Sequence, residues 1–517
     1  MHLMFLEASS VPSDSVVEAE LCIVGAGASG IAIAQQFTGK AFRVVLLESG
    51  GTEFEPGTQE LYEGHDIGQP YLDLATCRLR FYGGTTNHWA GWCLPLDDID
   101  FEQREGYPYR GWPFTRSHLE QWYRRAQDIC QVGPFDYEPT SWGIRSRQIP
   151  APFNGPHFCS KVLQVSPPTR FGPVYAPLLR QASQISVYLN ANALGFDVSE
   201  NEAEIRQVRV ATLTGNRFVV RARTYILAAG GIENARLLLL SGKPDGNGLG
   251  NRHDLVGRYF MTHLEYSSGI IAVSNPYTDF KFCQSFEGTQ PIVSFVGLTP
   301  ESMRQLRLPN IRITWEYVFA PIVKASKRLA TGVSGHMLSD LSRVIRDLDG
   351  LAGYVIRKAV FGDGAPVEAL VLRCHSEQMP NPESRILLGS DLDALGLRKT
   401  VVDWRLMAED KRNVTKTHRL LGTEIGRAGF GRLRYALADD DITWPEDFRG
   451  NEHHMGTTRM HSDPTQGVVD ANCRVHGLEN LYVAGSSVFP TSGAANPTLT
   501  IVALALRLAD HIKEQLA

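Results

Sequence analysis

Residues 19–50 constrain the fold more than any other stretch of this chain. AELCIVG reads as a buried strand, AGASGIAIAQQFTGK as a glycine-led helix and FRVVLLE as a second strand. The turn between the first strand and the helix is Gly25-Ala26-Gly27-Ala28-Ser29-Gly30. Gly25 permits the tight turn, Gly27 lets backbone approach a pyrophosphate, and Gly30 allows helix and sheet to pack closely. Ala28 and Ser29 then stand at the helix start, where free N–H groups attract an anion. Glu48 ends the second strand eighteen residues beyond Gly30, followed by Ser49. A carboxylate there accepts both hydroxyls of a ribose. A glycine-rich turn without a ligand would leave Glu48 unexplained, so the unit predicts a dinucleotide site.

At 517 residues the chain exceeds one ordinary core, and two domains are expected. VYLNANALGFDVS, EIRQVRVATL and NRFVVRARTYILAAGG, within 186–230, read as antiparallel strands, and IENARLLLLSG as a helix closing on Gly242. IVSFVGL, IRITWEYVF, ALVLRCHSE and SRILLGS read as strands around a more helical piece at 323–360. That piece reads as a surface helix pair, because acidic residues interleave its basic ones. NLYVAG then returns as a strand before a last helix after Pro497. The expected class is α/β (α+β overall). A Rossmann-like nucleotide-binding domain takes 1–90, 180–265 and 451–517, and a sheet-based substrate domain takes 91–179 and 266–450.

The balance of 51 basic and 56 acidic residues is too mild to point to nucleic acid or an anionic membrane. Eight scattered cysteines without a CxxC argue against a zinc site or a disulfide framework, and no His/Asp/Cys set has metal-ligand spacing. No apolar run reaches the roughly 20 residues of a bilayer span. MHLMFLEASSVPSDS lacks a basic flank and a twin-arginine pair, so the expectation is a cytoplasmic protein.

The glycine motif alone does not separate FAD from NAD; three further segments favour the flavin. Arg80-Phe81-Tyr82-Gly83-Gly84-Thr85-Thr86-Asn87-His88-Trp89 has paired glycines and small polar residues suited to a ribityl chain and pyrophosphate. The strand ending at Ala229-Gly230 can underlie the adenosine half, and Gly485-Ser486 puts small residues where the pyrophosphate crosses. Near the C-terminus, His453 lies in NEHHMGTTRM, and Asn496 precedes Pro497-Thr498 at the start of an apolar run. Pro after Asn marks a helix start, whose dipole favours negative charge. An imidazole and an amide beside that end suit a reaction that removes a proton and builds negative charge nearby. Alcohol oxidation by a flavin is such a reaction. For Asn496 the competing reading is a plain N-cap.

GAGASG with Glu48, RFYGGTTNHW, ILAAGGIENARLLL, VGRYFMTH, EQMPNPESRILL, HHMGTTRM and GSSVFPTSGAANPTLT together resemble the glucose–methanol–choline (GMC) oxidoreductases, in the family's order. The resemblance implies FAD and oxidation of a CH–OH group by hydride transfer to flavin N5. It implies His453 as base, Asn496 as its partner, and Pro497 and Thr498 at the flavin's N1/O2 edge. Gly83-Gly84 with His88-Trp89, and the ending at Asn496, resemble the pyranose-oxidase branch and its bacterial sugar-oxidising relatives. The glucose-oxidase branch usually has aspartate and histidine where Gly485 and Asn496 stand. The implied substrate is therefore a secondary hydroxyl of a sugar or glycoside, with oxygen, a quinone or a redox partner protein as electron acceptor. A non-sugar or natural-product alcohol, or a lyase reaction, is the alternative. In pyranose oxidase the histidine matching His88 is bonded to the flavin; here His88 is expected to pack against it without a bond. His263 resembles the family's structural histidine, His454 is read as packed, and His375 and Glu377 could face a polyol.

Overall fold

The computed structural model describes residues 4–517 except 106, 108–110, 145–148, 244–245, 277–284, 287–289, 320–366, 436 and 438–442. The expected helical piece at 323–360 lies outside the described residues.

The sheet that contains the glycine-led βαβ unit has eight strands. Its order is Phe5–Glu7, Ile185–Leu189, Val44–Leu47, Val16–Val24, Arg217–Leu227, Ile205–Ala211 and Asn192–Val198, with Leu481–Val483 also on Arg217–Leu227. Val16–Val24 and Val44–Leu47 end in runs of fully buried apolar residues, as strands covered on both faces must. Their register brings four parallel strands to a common finish: Val24 lies beside both Leu47 and Leu227, and Leu227 beside Val483. Gly25, Glu48, Ala228 and Ala484 therefore leave the sheet along one edge, where ligands of such sheets bind.

One expectation needs correcting here. VYLNANALGFDVS is two strands, because Asn190 adopts φ 57°, a left-handed conformation that Asn tolerates. Ile185–Leu189 runs parallel to Val44–Leu47, whereas Asn192–Val198 pairs antiparallel with Ile205–Ala211. The rest of the expected meander is present. The helix Glu233–Leu239 is followed by Gly242 at φ 94°, as read from the sequence.

The second sheet has nine strands and antiparallel pairings throughout. Its order is Gly431–Tyr435, Leu264–Val273, Val367–Ser376, Ile311–Phe319, Ile292–Leu298, Phe158–Val165 and Trp92–Cys93. Two short strands, Ser285–Phe286 and Arg449–Gly450, pair with Ile292–Leu298 and Leu264–Val273. Along Val367–Ser376 the side chains alternate: Leu370, Leu372 and Cys374 are buried on one face, while Arg373 and His375 stand on the other. A three-stranded sheet joins Arg385–Leu392 and Arg398–Trp404 to Gly64–Gly68 from the N-terminal part.

The C-terminal helix Thr498–Leu516 packs against the helices Ala28–Gln35 and Arg116–Cys130. Leu499, Val502, Ala503, Leu504, Ala505, Leu506 and Leu508 are all buried, so the helix is a core element. None of the described helices is long and apolar enough to cross a membrane.

Candidate active site

A continuous cavity of about 710 Å³ runs from the edge where the parallel strands finish to the face of the second sheet. At one end it is lined by Gly25, Gly27, Ala28, Ser29, Glu48, Ser49, Arg80, Ala229 and Gly230. Gly84, Thr85, His88, Trp89, Gly485, Ser486, Pro497 and Thr498 follow, with His453 and Asn496 toward the second sheet. Three expected contacts do not line it, each for a visible reason. Gly30 lies behind the turn: a Cβ there would meet the Gly25 carbonyl oxygen at 1.9 Å, so its task is packing. Gly83 takes φ 97° to turn the loop and faces Gly172. Asn87 spends its amide on the carbonyls of Tyr82 and Gly84, both at 3.0 Å, tying the loop to itself.

The cavity's first end fits FAD. Gly27 lines it, and a Cβ on Gly27 would meet no protein atom within 4 Å, leaving backbone open to a pyrophosphate. Two helices, Ala28–Gln35 and Thr498–Leu516, direct their N-termini at this space, supplying unpaired N–H groups for negative charge. Glu48 accepts from the N–H groups of Ala26 and Gly50, each at 3.0 Å, which holds both carboxylate oxygens in place with a lone pair to spare. Arg80 brings a buried Nε without a protein partner.

At the other end, backbone pairing assembles a histidine relay. Asn451 N–H donates to the His263 carbonyl at 3.0 Å, and Met455 pairs with Met261, which sets His453 beside His263. Ser486 Oγ donates to the His454 carbonyl at 2.6 Å, and Gly456 N–H to the Ser486 carbonyl at 3.1 Å, clamping this segment to the GSSV turn. His263 Nε2 lies 3.2 Å from the Ser492 carbonyl oxygen, an acceptor only, so that nitrogen carries its proton. Burial, with Arg312 nearby, lowers the His263 pKa to about 4 and keeps the ring neutral, leaving Nδ1 bare. That bare nitrogen is 2.8 Å from His453 Nδ1, which must therefore be the protonated one. His453 Nε2 is left unprotonated, and in the absence of substrate its lone pair accepts from the Asn496 amide nitrogen at 3.2 Å. Burial, then His263, His375 and Arg312, hold the His453 pKa well below the usual histidine value.

Asn496 is not the helix cap. Pro497 occupies that position and no side chain caps the helix, so the amide is free to face His453. Its carbonyl oxygen accepts from Arg312 Nη1 at 2.5 Å, which fixes the nitrogen toward the histidine.

His454 is a packed residue. Its ring stacks on Phe260, Nε2 lies 3.7 Å from Cys77 Sγ, and burial lowers its pKa to about 3. Glu377 is a second correction to the sequence reading. It is buried in an ion pair with Arg104 at 2.6 Å and accepts from Tyr107 and the Asn310 N–H, away from the cavity. His375 does line the cavity. Register places it opposite both Glu265 and Arg312, with Arg449 opposite Glu265, so four polar residues cross the sheet in one row. Sequence reasoning missed Glu265, Arg312 and Arg449, because only strand pairing brings them together. Among the described residues no group of three or more His, Cys, Asp or Glu is placed to hold a metal ion.

Comparison with known proteins agrees with this architecture. Residues 380–505 match the family model described as GMC oxidoreductase. The large subunit of fructose dehydrogenase from Gluconobacter japonicus is 23% identical, over 98% of this chain and 99% of its own. A C-glycoside 3-oxidase from Microbacterium trichothecenolyticum is 25% identical, over 91% of this chain and 82% of its own. Among solved structures, pyridoxine 4-oxidase from Mesorbium loti superposes with a TM-score of 0.59 at 16% identity, covering 96% of this chain and 99% of that one. The cavity, the paired sheets and these likenesses lead to one conclusion: the chain carries a GMC oxidoreductase domain at residues 380–505, is similar to named oxidases and dehydrogenases over most of its length, and is an FAD-dependent oxidoreductase acting on CH–OH donors.

Proposed function

We propose that the chain oxidises a secondary hydroxyl of a sugar or glycoside to a ketone, with His453 as the base and Asn496 as the orienting amide. The observation that carries this reading is the pairing of His453 Nε2 with Asn496 at 3.2 Å on the cavity wall. The cavity's first end would hold FAD, which would supply the acceptor for the hydride leaving the substrate carbon. The protein's own share is proton removal and positioning. The bare Nε2 takes the hydroxyl proton, and the proton on Nδ1 stays with His453, held by His263. Asn496 Nδ2 donates to the substrate oxygen and holds it against the base, and positioning of this kind lowers the barrier substantially. Negative charge developing on that oxygen meets the start of the helix Thr498–Leu516 and the Arg312–Asn496 pair. Support for a sugar or glycoside comes from relatives named as fructose dehydrogenase and C-glycoside 3-oxidase, and from the polar row on the second sheet. His88 lines the cavity, and we read it as packing against the cofactor without a bond.

The test is an anaerobic panel of sugars, glycosides and non-sugar alcohols mixed with holoprotein while the yellow absorbance is followed. A sugar or glycoside is expected to bleach it. His453→Ala should keep its colour and bleach about 10²–10⁴-fold more slowly. Near-native bleaching by that variant would remove His453 from the mechanism. Bleaching by non-sugar alcohols alone would overturn the substrate class. Repeating the experiment in air with peroxide detection shows whether oxygen takes the electrons. Acid precipitation should release the colour to the supernatant; a yellow pellet would show that the cofactor is bonded to the protein.

A further inference from the structure

Arg312 is among the largest side chains that are fully buried, and among the described residues no ion pair joins it to a carboxylate, Glu265 acting on it only from a distance. Nη1 donates to Asn496 Oδ1, the guanidinium carbon lies 4.9 Å from the centre of the Trp92 ring, and Nε and Nη2 have no hydrogen-bond partner. The acidic side chain in its row, Glu265, is already held by Arg449 at 2.8 Å. A buried charge left without a counter-ion opposes folding, and such groups cluster where function requires them. Burial lowers the Arg312 pKa only to about 10, so the charge is present at neutral pH.

We infer that Arg312 is a positioning residue that grips the Asn496 carbonyl so that the amide nitrogen faces the reacting hydroxyl, and that its uncompensated charge makes the site favour neutral or anionic alcohols over cationic ones. The inference rests on the reading of this cavity as an alcohol-oxidising site and narrows its substrate class. An amide can present either end to a substrate oxygen, but only the nitrogen can donate. A charge-assisted bond from a group that never deprotonates in the working range decides which end is presented. The same positive charge assists the substrate oxygen as its proton leaves and repels an ammonium group carried by the substrate.

The test compares kcat and KM for a neutral sugar that bleaches the wild-type holoprotein with those for its protonated 2-amino-2-deoxy analogue. The wild type is expected to favour the neutral sugar by about tenfold or more in kcat/KM, since like charges suppress a wrong partner. Arg312→Met should lower kcat and bring that ratio toward one. Arg312→Lys should keep the ratio while recovering little of kcat. Arg312→Gln retains a donor toward Asn496 without the charge; it should lose the preference and keep more kcat than Met. It also serves if the Met variant does not fold. An unchanged ratio in both uncharged variants would overturn the inference.

A second readout needs no turnover. Diethyl pyrocarbonate acylates neutral imidazoles, so the pH profile of modification at His453, followed by peptide mass spectrometry, reports its titration. Besides Arg312, the ionisable groups facing His453 are His263, His375, His454 and the Glu265–Arg449 pair, unchanged in these variants. The midpoint should rise in Arg312→Met and Arg312→Gln and stay in place in Arg312→Lys. If no sugar bleaches the wild type, the proposed function fails; the modification profile still judges Arg312, and a midpoint unmoved in the uncharged variants overturns its role.

Discussion

His263 shows how much a single residue decides here. Its only catalytic claim is indirect: with its Nε2 proton committed to the Ser492 carbonyl, it obliges His453 to keep its own proton on Nδ1. His263→Phe removes that acceptor, so His453 is free to place its proton on Nε2, the nitrogen needed as base. Loss of about 10–100-fold in kcat/KM is expected, by analogy with residues that orient ligating histidines. His263→Gln, which keeps an acceptor oxygen, should recover part of it. A His263→Phe variant with wild-type kcat/KM would show that the relay does not set the tautomer. The pH profile belongs to the same scale. Proton removal needs neutral His453, and its pKa is held well below the ordinary 6.5, first by burial. Lowering a histidine pKa extends the active form toward acid. The acid limb of kcat/KM should therefore lie below the normal histidine range, and a limb centred at or above pH 6.5 would contradict this assignment.

Among the elements, the turn between Val16–Val24 and Ala28–Gln35 allows least change. The Cβ of a Gly30→Ala variant would stand 1.9 Å from the Gly25 carbonyl, so backbone must move. Overpacking of this kind costs about 1–3 kcal/mol or more. It should show as a lower Tm and a reduced ratio of flavin to protein absorbance after gel filtration. The helix Glu233–Leu239 is anchored by a buried cluster, in which Glu233 meets Arg236 at 2.9 Å, Arg78 at 3.3 Å and Arg80 at 3.6 Å. Burial alone would raise the Glu233 pKa, but the three guanidinium groups prevail and bring it down to about 2. Glu233→Gln leaves buried cations short of a partner and should destabilise the protein by about 3–5 kcal/mol. A depressed carboxylate pKa contributes stability above its ordinary 4.5, and this is lost as pH falls toward 2. The gap between wild type and variant in urea denaturation should therefore be full at pH 6 and shrink below about 4.5. A gap that did not depend on pH would point to packing instead of charge.

At the scale of the whole molecule, the cavity couples the two large sheets. Its walls include strand ends from the parallel sheet and Glu265, Arg312 and His375 from the antiparallel one. A ligand filling it stabilises the folded state by mass action, about 2.7 kcal/mol at a free concentration of 100 times Kd. Apoprotein titrated with FAD should show a Tm that climbs with cofactor concentration, whereas His453→Ala should climb equally, because His453 is assigned to proton removal and not to cofactor affinity. A flat Tm would mean that FAD does not bind this cavity.

That Gly25, Gly27 and Glu48 meet at one end of the cavity was legible in the residues themselves, because a glycine-rich turn and its acidic partner are short-range. Gly25, Gly27, Gly30 and Glu48 lie within one βαβ unit, and the steric demands of a tight turn leave few other residues possible. His453 and Asn496 could be named from the chemistry of their residue types and the motifs around them. Their mutual orientation could not, because nothing local separates an asparagine that caps a helix from one that faces a histidine. Tertiary structure decided that, through Arg312 on a strand 184 positions away from Asn496. It also turned Glu377 inward toward Arg104 and lined up Glu265, His375 and Arg312 across neighbouring strands. Sheet register is set by the burial of whole faces, a cooperative property of many residues, so the neighbours it creates leave no signature in any one segment of the chain.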